Sequence, residues 1–206
     1  MASATVSTPG VAAAAGAPPA IRPLDFQIVP RRGLPIVAFV LVVVVVAIAV
    51  NDVWPLMFLH VVAGATWTVI DLFLGFVLGP IIGSMSVPAR AEFTSRLMPK
   101  MVLIMPTAVT VTLAAGWQLS TNLGTNQVGY ALHGWVVASF IVVGVMSVIA
   151  LGLLEPANIA VLTEMKKPRP NPEVIERLMK RFMYSAGVLG AMQVATLVIM
   201  AKLTVG

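Results

Sequence analysis

The chain contains no cysteine, which excludes a disulfide scaffold, thiolate-held zinc or iron–sulfur centres and a thiol nucleophile. Charge is also scarce: Asp, Glu, Lys and Arg make up 10% of 206 residues, and there are two histidines. No P-loop, GxGxxG or HExxH motif occurs, so nucleotide-driven transport and zincin chemistry have no support. No internal repeat of the kind found in many transporters is present. What fills the chain instead is apolar. Hydrophobic residues reach 59% and the mean hydropathy is +0.97, a composition that makes lipid the expected solvent.

The isoelectric point near 10.1 reflects basic residues clustered beside apolar segments, with no basic face interleaved with aromatics, so no nucleic-acid partner is expected. Residues 1–33, rich in Ala, Pro, Ser and Gly and ending at Arg31 and Arg32, read as a low-complexity tail. Leu34–Val50 reads as a first transmembrane helix. Ala47-Ile48-Ala49 resembles a signal-peptidase site, but the long segment before it argues for a retained helix. Four more apolar segments, Pro55–Gly83, Met98–Leu119, Tyr130–Leu154 and Phe182–Leu203, are each long enough to cross about 30 Å of hydrocarbon. In lipid they must be helices, because their backbone groups have to be satisfied within the segment.

The expected architecture is therefore all-α: a polytopic transmembrane helical bundle of five spans, a four-helix membrane core at 55–204 plus one N-terminal helix. Cytoplasmic loops are expected at 84–97 and 155–181. Ser86 with Pro88, and Asn171 with Pro172, carry helix-start signals inside those loops. The connectors Asn51–Trp54 and Ser120–Gly129 hold one charge between them, Asp52, whereas the tail and the other two loops carry nearly all Lys and Arg. The positive-inside rule then predicts a cytoplasmic N-terminus and a non-cytoplasmic C-terminus.

Ionisable residues within spans are costly and tend to face a bundle interior or a cavity. At 100° per residue, His60, Gly64, Trp67 and Asp71 share one stripe of the second span. His133 begins the fourth span on the same outer side as His60. Imidazoles on facing helices suit axial ligation of haem, and two histidines with Met57 or Met200 suit copper. The bland readings are a hydrogen-bonding histidine, an Asp71 paired with Thr or backbone groups of the third span, and methionines used for packing. Trp67 is a candidate pocket residue, while Trp54, Trp117 and Trp135 fit an interfacial belt. Gly75, Gly79 and Gly83, and Gly187 with Ala191, form small faces for close helix approach. Thr107, Thr110 and Thr112 read as hydrogen bonders.

The stretches FLHVVAGATW (58–67), RLMPKMVLIMPTAVTVTLAAGW (96–117) and LHGWVV (132–137) resemble the superfamily of CopD-type copper-export proteins and haem-binding HemJ-type protoporphyrinogen oxidases. The similarity spans about Trp54 to Lys202. His60 and Trp67 match the His and Trp of the family's first core helix; Arg96, Leu97, Pro106 and Gly116 match the pattern of its second. The resemblance implies a bacterial inner-membrane protein binding haem b or, alternatively, copper. His60, His133, Trp67 and Asp71 are the candidate cofactor-binding residues, and His60, His133 and Met57 the candidate metal ligands. Where HemJ has a lysine shortly after the position of His133, this chain has Gly134 and Trp135. The expected role is electron transfer or assembly in a larger membrane complex with other subunits, with no catalytic residue assigned. A cofactor-free accessory subunit is the alternative. A HemJ-like oxidase, with His60 holding haem and Asp71 assisting proton removal, is the third reading.

Overall fold

The computed structural model describes residues 26–205; the tail before Phe26, including Arg22, lies outside the described residues. Five helices among them are long and apolar enough to cross a membrane, and no strand occurs among the described residues. They are α1 (Leu34–Val50), α2 (Val53–Ser84), α3 (Val87–Asn122), α4 (His133–Met165) and α5 (Pro172–Val205). At 1.5 Å per residue, α2 to α5 are each about 50 Å long, well beyond a hydrocarbon core of about 30 Å. Their excess length carries the charges of Arg90–Lys100 and Glu173–Arg181, giving the bundle a basic end and a nearly neutral end.

Local chemistry explains most boundaries. Asn51 closes α1 in the left-handed conformation (φ 56°), which asparagine tolerates better than most residues. Asp52 caps α2, accepting from the Trp54 amide at 2.8 Å. The same turn is tied to the end of α3, where Gln118 and Asn122 donate to the Asn51 side chain and carbonyl. At the basic end, Arg90 donates to the Gly83 and Met85 carbonyls and closes the α2–α3 turn. Asn171 accepts from the amides of Glu173 and Val174 to start α5, with Pro172 in the first turn where its missing N–H costs nothing.

The helix α4 runs farther than hydropathy suggests. Polar Glu155, Pro156, Asn158 and Glu164 mark 155–181 as loop in the sequence, yet residues 155–165 continue as helix. Ala157, Asn158, Val161 and Leu162 are buried there, and Val161 and Leu162 pack with Met98 and Val102 of α3. Glu164 then secures the following connector, accepting from Lys167 Nζ and the Asn171 amide. Both α2 and α4 contain a π-helical segment, Phe73–Leu78 and Ala150–Leu154. Each lies directly before a proline-containing turn, Pro80 and Pro156. A proline cannot donate to the carbonyl four residues back and crowds it; here those carbonyls, of Phe76 and Gly152, lie inside the widened segments. Pro99 and Pro106 of α3 are carried without one.

Helix α2 packs mainly on α3 and also on α5, α4 packs on α5 and through its basic-end half on α3, and α1 leans on α3 and α2. Only Val44 and Ala47 of α1 are buried. Hydrocarbon is as apolar as leucine, so close packing, more than exclusion from water, must hold such helices together. Glycines create that closeness between α2 and α5. A Cβ at Gly79 would collide with the Met183 side chain, and one at Gly190 would stand 3.4 Å from Phe76. Gly187, on the small face expected from sequence, has open space beside it, as does Gly83; Gly190 is the α5 glycine at the contact. Gly190→Leu should therefore lower the melting temperature of the detergent-solubilised protein, overpacking costing about 1–3 kcal/mol, while Gly187→Leu leaves it within a degree or two; equal effects would refute this assignment.

Candidate functional site

The stripe His60, Gly64, Trp67 and Asp71 faces the inside of the bundle. His60 Nδ1 donates to the backbone carbonyl of Thr112 on α3 at 2.9 Å. The ring reaches that carbonyl because Gly116, one turn farther along α3, has no side chain: an added Cβ would lie 2.6 Å from both ring atoms Cε1 and Nδ1. A Cβ added at Gly64, one turn along α2, would stand 3.4 Å from the Thr112 methyl group. Since a carbonyl can only accept, the bond places a proton on Nδ1, so that in the neutral ring Nε2 is the nitrogen that carries the lone pair. Metal-ligating histidines are commonly oriented in this way, through the second nitrogen.

Trp67 is buried in the central cluster with Met105, Val109, Met146 and Leu189, so its indole joins α2 to three other helices. Asp71 is 2% exposed, and its partner comes from α5: Gln193 Nε2 donates to Asp71 Oδ2 at 3.3 Å, and Thr68 Oγ1 donates to Gln193 Oε1 at 2.9 Å. The third-span threonines expected as its partners instead serve their own helix, Thr107 donating to the Leu103 carbonyl and Thr112 to that of Ala108. Gln193 was not singled out from sequence, although a lone amide in an apolar span is itself a signal of interhelical bonding.

The remaining candidates stand apart. His133 is the first residue of α4, half-buried, with its Nδ1 buried and without a hydrogen-bond partner. No hydrogen bond joins it to His60 among the described residues. Counted at 1.5 Å per residue from the contacts Asp71–Gln193 and Met146–Thr196, His133 lies about 8 Å nearer the neutral end than His60. Met57 is 41% exposed, and Met200 is half-buried. Among the described residues no three His, Asp or Glu side chains gather as a metal-ligand group. Arg96 pairs with Glu92 on the exposed face of α3 at 2.6 Å. Trp54, Trp117 and Trp135 are exposed at the neutral end.

A second polar pair lies nearer the basic end: Glu155 and fully buried Asn158 follow the π-helical segment of α4, each with one buried oxygen lacking a hydrogen-bond partner. Their sequence context resembles a loop, so only the continuation of α4 reveals them as interior groups.

Replacing Gln193 with Leu removes the single amide that serves both Thr68 and Asp71. The expected loss is about 1–2 kcal/mol, read as a lower melting temperature in detergent. Asp71→Leu added to it should cost less than the sum of the two single changes, and strict additivity would show that the groups are not coupled. Comparison of the chain with protein-family models, curated proteins and solved structures finds no match.

Proposed function

We propose that this protein is a membrane subunit that holds haem b through the Nε2 atom of His60 near the neutral end of the bundle and serves electron transfer or assembly with partner subunits. The observation that carries this reading is the bond from His60 Nδ1 to the Thr112 carbonyl, which orients the imidazole and keeps Nε2 free as a donor. The donor set favours haem over copper. A porphyrin supplies four of the iron's ligands itself and needs one or two from protein, whereas a copper ion draws its nitrogen and sulfur donors from the protein, and here His133 lies about 8 Å nearer the neutral end than His60 while Met57 is 41% exposed.

Within this reading Gly116 is a positioning residue, providing the volume in which the ring sits. Haem bound here would supply one-electron redox chemistry. The chain contributes its orientation through His60 and Thr112, and the Asp71–Gln193–Thr68 group, about 16 Å farther along α2, supplies a polar interior deep in the bundle. Among the described residues His60 bonds a backbone carbonyl and no acid or base, and in this reading the chain passes electrons to a partner in place of a HemJ-like oxidation. The basic end is assigned to the cytoplasm and the neutral end to the outer face of a bacterial inner membrane, on the distribution of Lys and Arg.

A reduced-minus-oxidised visible spectrum of the protein purified from membranes tests the haem reading. Haem b bands are expected in the wild type, lost in His60→Ala, reduced in Gly116→Val and kept in His133→Ala. A wild-type protein without haem bands, made in cells supplied with haem, would overturn it. Orientation is checked separately with a reporter active only outside the cytoplasm, expected active when inserted after Gly124 and silent after Pro168.

A further inference from the structure

A cavity of about 530 Å³ opens between the basic-end portions of α2, α3, α4 and α5. It is well separated from His60, Trp67 and Asp71, none of which lines it. Its lining includes apolar Ile82, Val161, Met165, Ile175, Met179 and Met183, and also Arg90, Lys167 and Lys180 with a single carboxylate, Glu176. Lys180 bonds Glu176 at 2.8 Å and Lys167 bonds Glu164. Both ammonium groups remain largely exposed, with two donors each to spare. The Arg90 guanidinium is anchored on two backbone carbonyls while its Nε is buried without a hydrogen-bond partner. Tyr184, at the rim, is 79% exposed, the amphipathic residue type favoured at membrane–water boundaries.

We propose that this cavity binds one anionic phospholipid, its headgroup phosphate beside Arg90, Lys167 and Lys180 and an acyl chain among the methionines and Ile82. Three features favour that occupant. The wall combines cationic with apolar side chains, which a diacyl phosphate matches and a hydrophilic anion does not. The excess of positive charge complements a phosphate. With the basic end placed at a membrane surface by its Lys and Arg, the cavity lies toward the level of the phospholipid headgroups. Flexible methionine side chains suit chains of varied length and unsaturation. Gly83 lines this volume with open space where a Cβ would stand. This inference rests on the placement of the bundle in a membrane and is independent of haem at His60.

Native mass spectrometry of the full-length protein, equilibrated in mixed micelles with equal phosphatidylglycerol and phosphatidylcholine, reads it directly. The wild type should retain phosphatidylglycerol over phosphatidylcholine by about fivefold or more. Lys167→Gln with Lys180→Gln should bring the ratio towards one, the fold being kept because both ammonium groups stand at the surface. Gly83→Leu, at a position where an added Cβ has nothing within 4 Å, should lower retention of phosphatidylglycerol by placing a side chain in the cavity. Excess inorganic phosphate should not displace the lipid, and His60→Ala should leave retention unchanged. Equal retention of the two lipids by the wild type, unaltered retention in Gly83→Leu, or displacement by inorganic phosphate would each overturn the proposal, the last by pointing to a soluble anion.

Discussion

Hydrocarbon offers no hydrogen bonds, so a polar group carried into it is costly unless it finds a partner within the protein. That constraint arranges the interior of this bundle. Gln193 bridges Thr68 and Asp71 across the α2–α5 contact, Thr107 and Thr112 of α3 turn back to their own helix, and His60 spends one nitrogen on the Thr112 carbonyl. Each bond also selects a helix pair. The histidine specifies how α2 lies on α3, and the amide specifies how α2 lies on α5.

Those bonds require close approach, and glycine supplies it on both sides of α2. Gly116 makes room for an imidazole, while Gly79 and Gly190 make room for Met183 and Phe76. The same economy of side chains leaves space elsewhere. Toward the basic end, Gly79 and Gly83 line a cavity together with Arg90 of α3, Lys167 of the α4–α5 connector and Lys180 of α5. The bundle thus has two chemically different ends: a neutral one with a single oriented imidazole and a belt of exposed tryptophans, and a basic one with an amphipathic hollow.

Between the two ends, α2 and α4 each widen into a π-helical segment before a proline. Such segments recur at functional sites, and here each lies within a turn of an interior carboxyl group, Asp71 before the first and Glu155 after the second. The widening changes which residues of the following turns face inward. In α4 it brings Ala157, Asn158, Val161 and Leu162 to the buried side, extending the core past the end of the apolar run.

Hydropathy alone was sufficient to find five long helices, because twenty or so apolar residues in succession have few other stable destinations. Cap chemistry at Asn171 and Pro172 located the start of the last, since those signals act over one turn. The inward stripe of His60, Gly64, Trp67 and Asp71 was also readable, being a consequence of the 3.6-residue repeat. Partners were not readable. That Asp71 meets Gln193 of α5 and no threonine of α3, that Gly190 and not Gly187 faces α2, and that the helix continues through Glu155 to Met165 all depend on the rotation and register of one helix against another. Those are decided by how side chains of different helices fill shared volume, a property that no single segment of the chain contains.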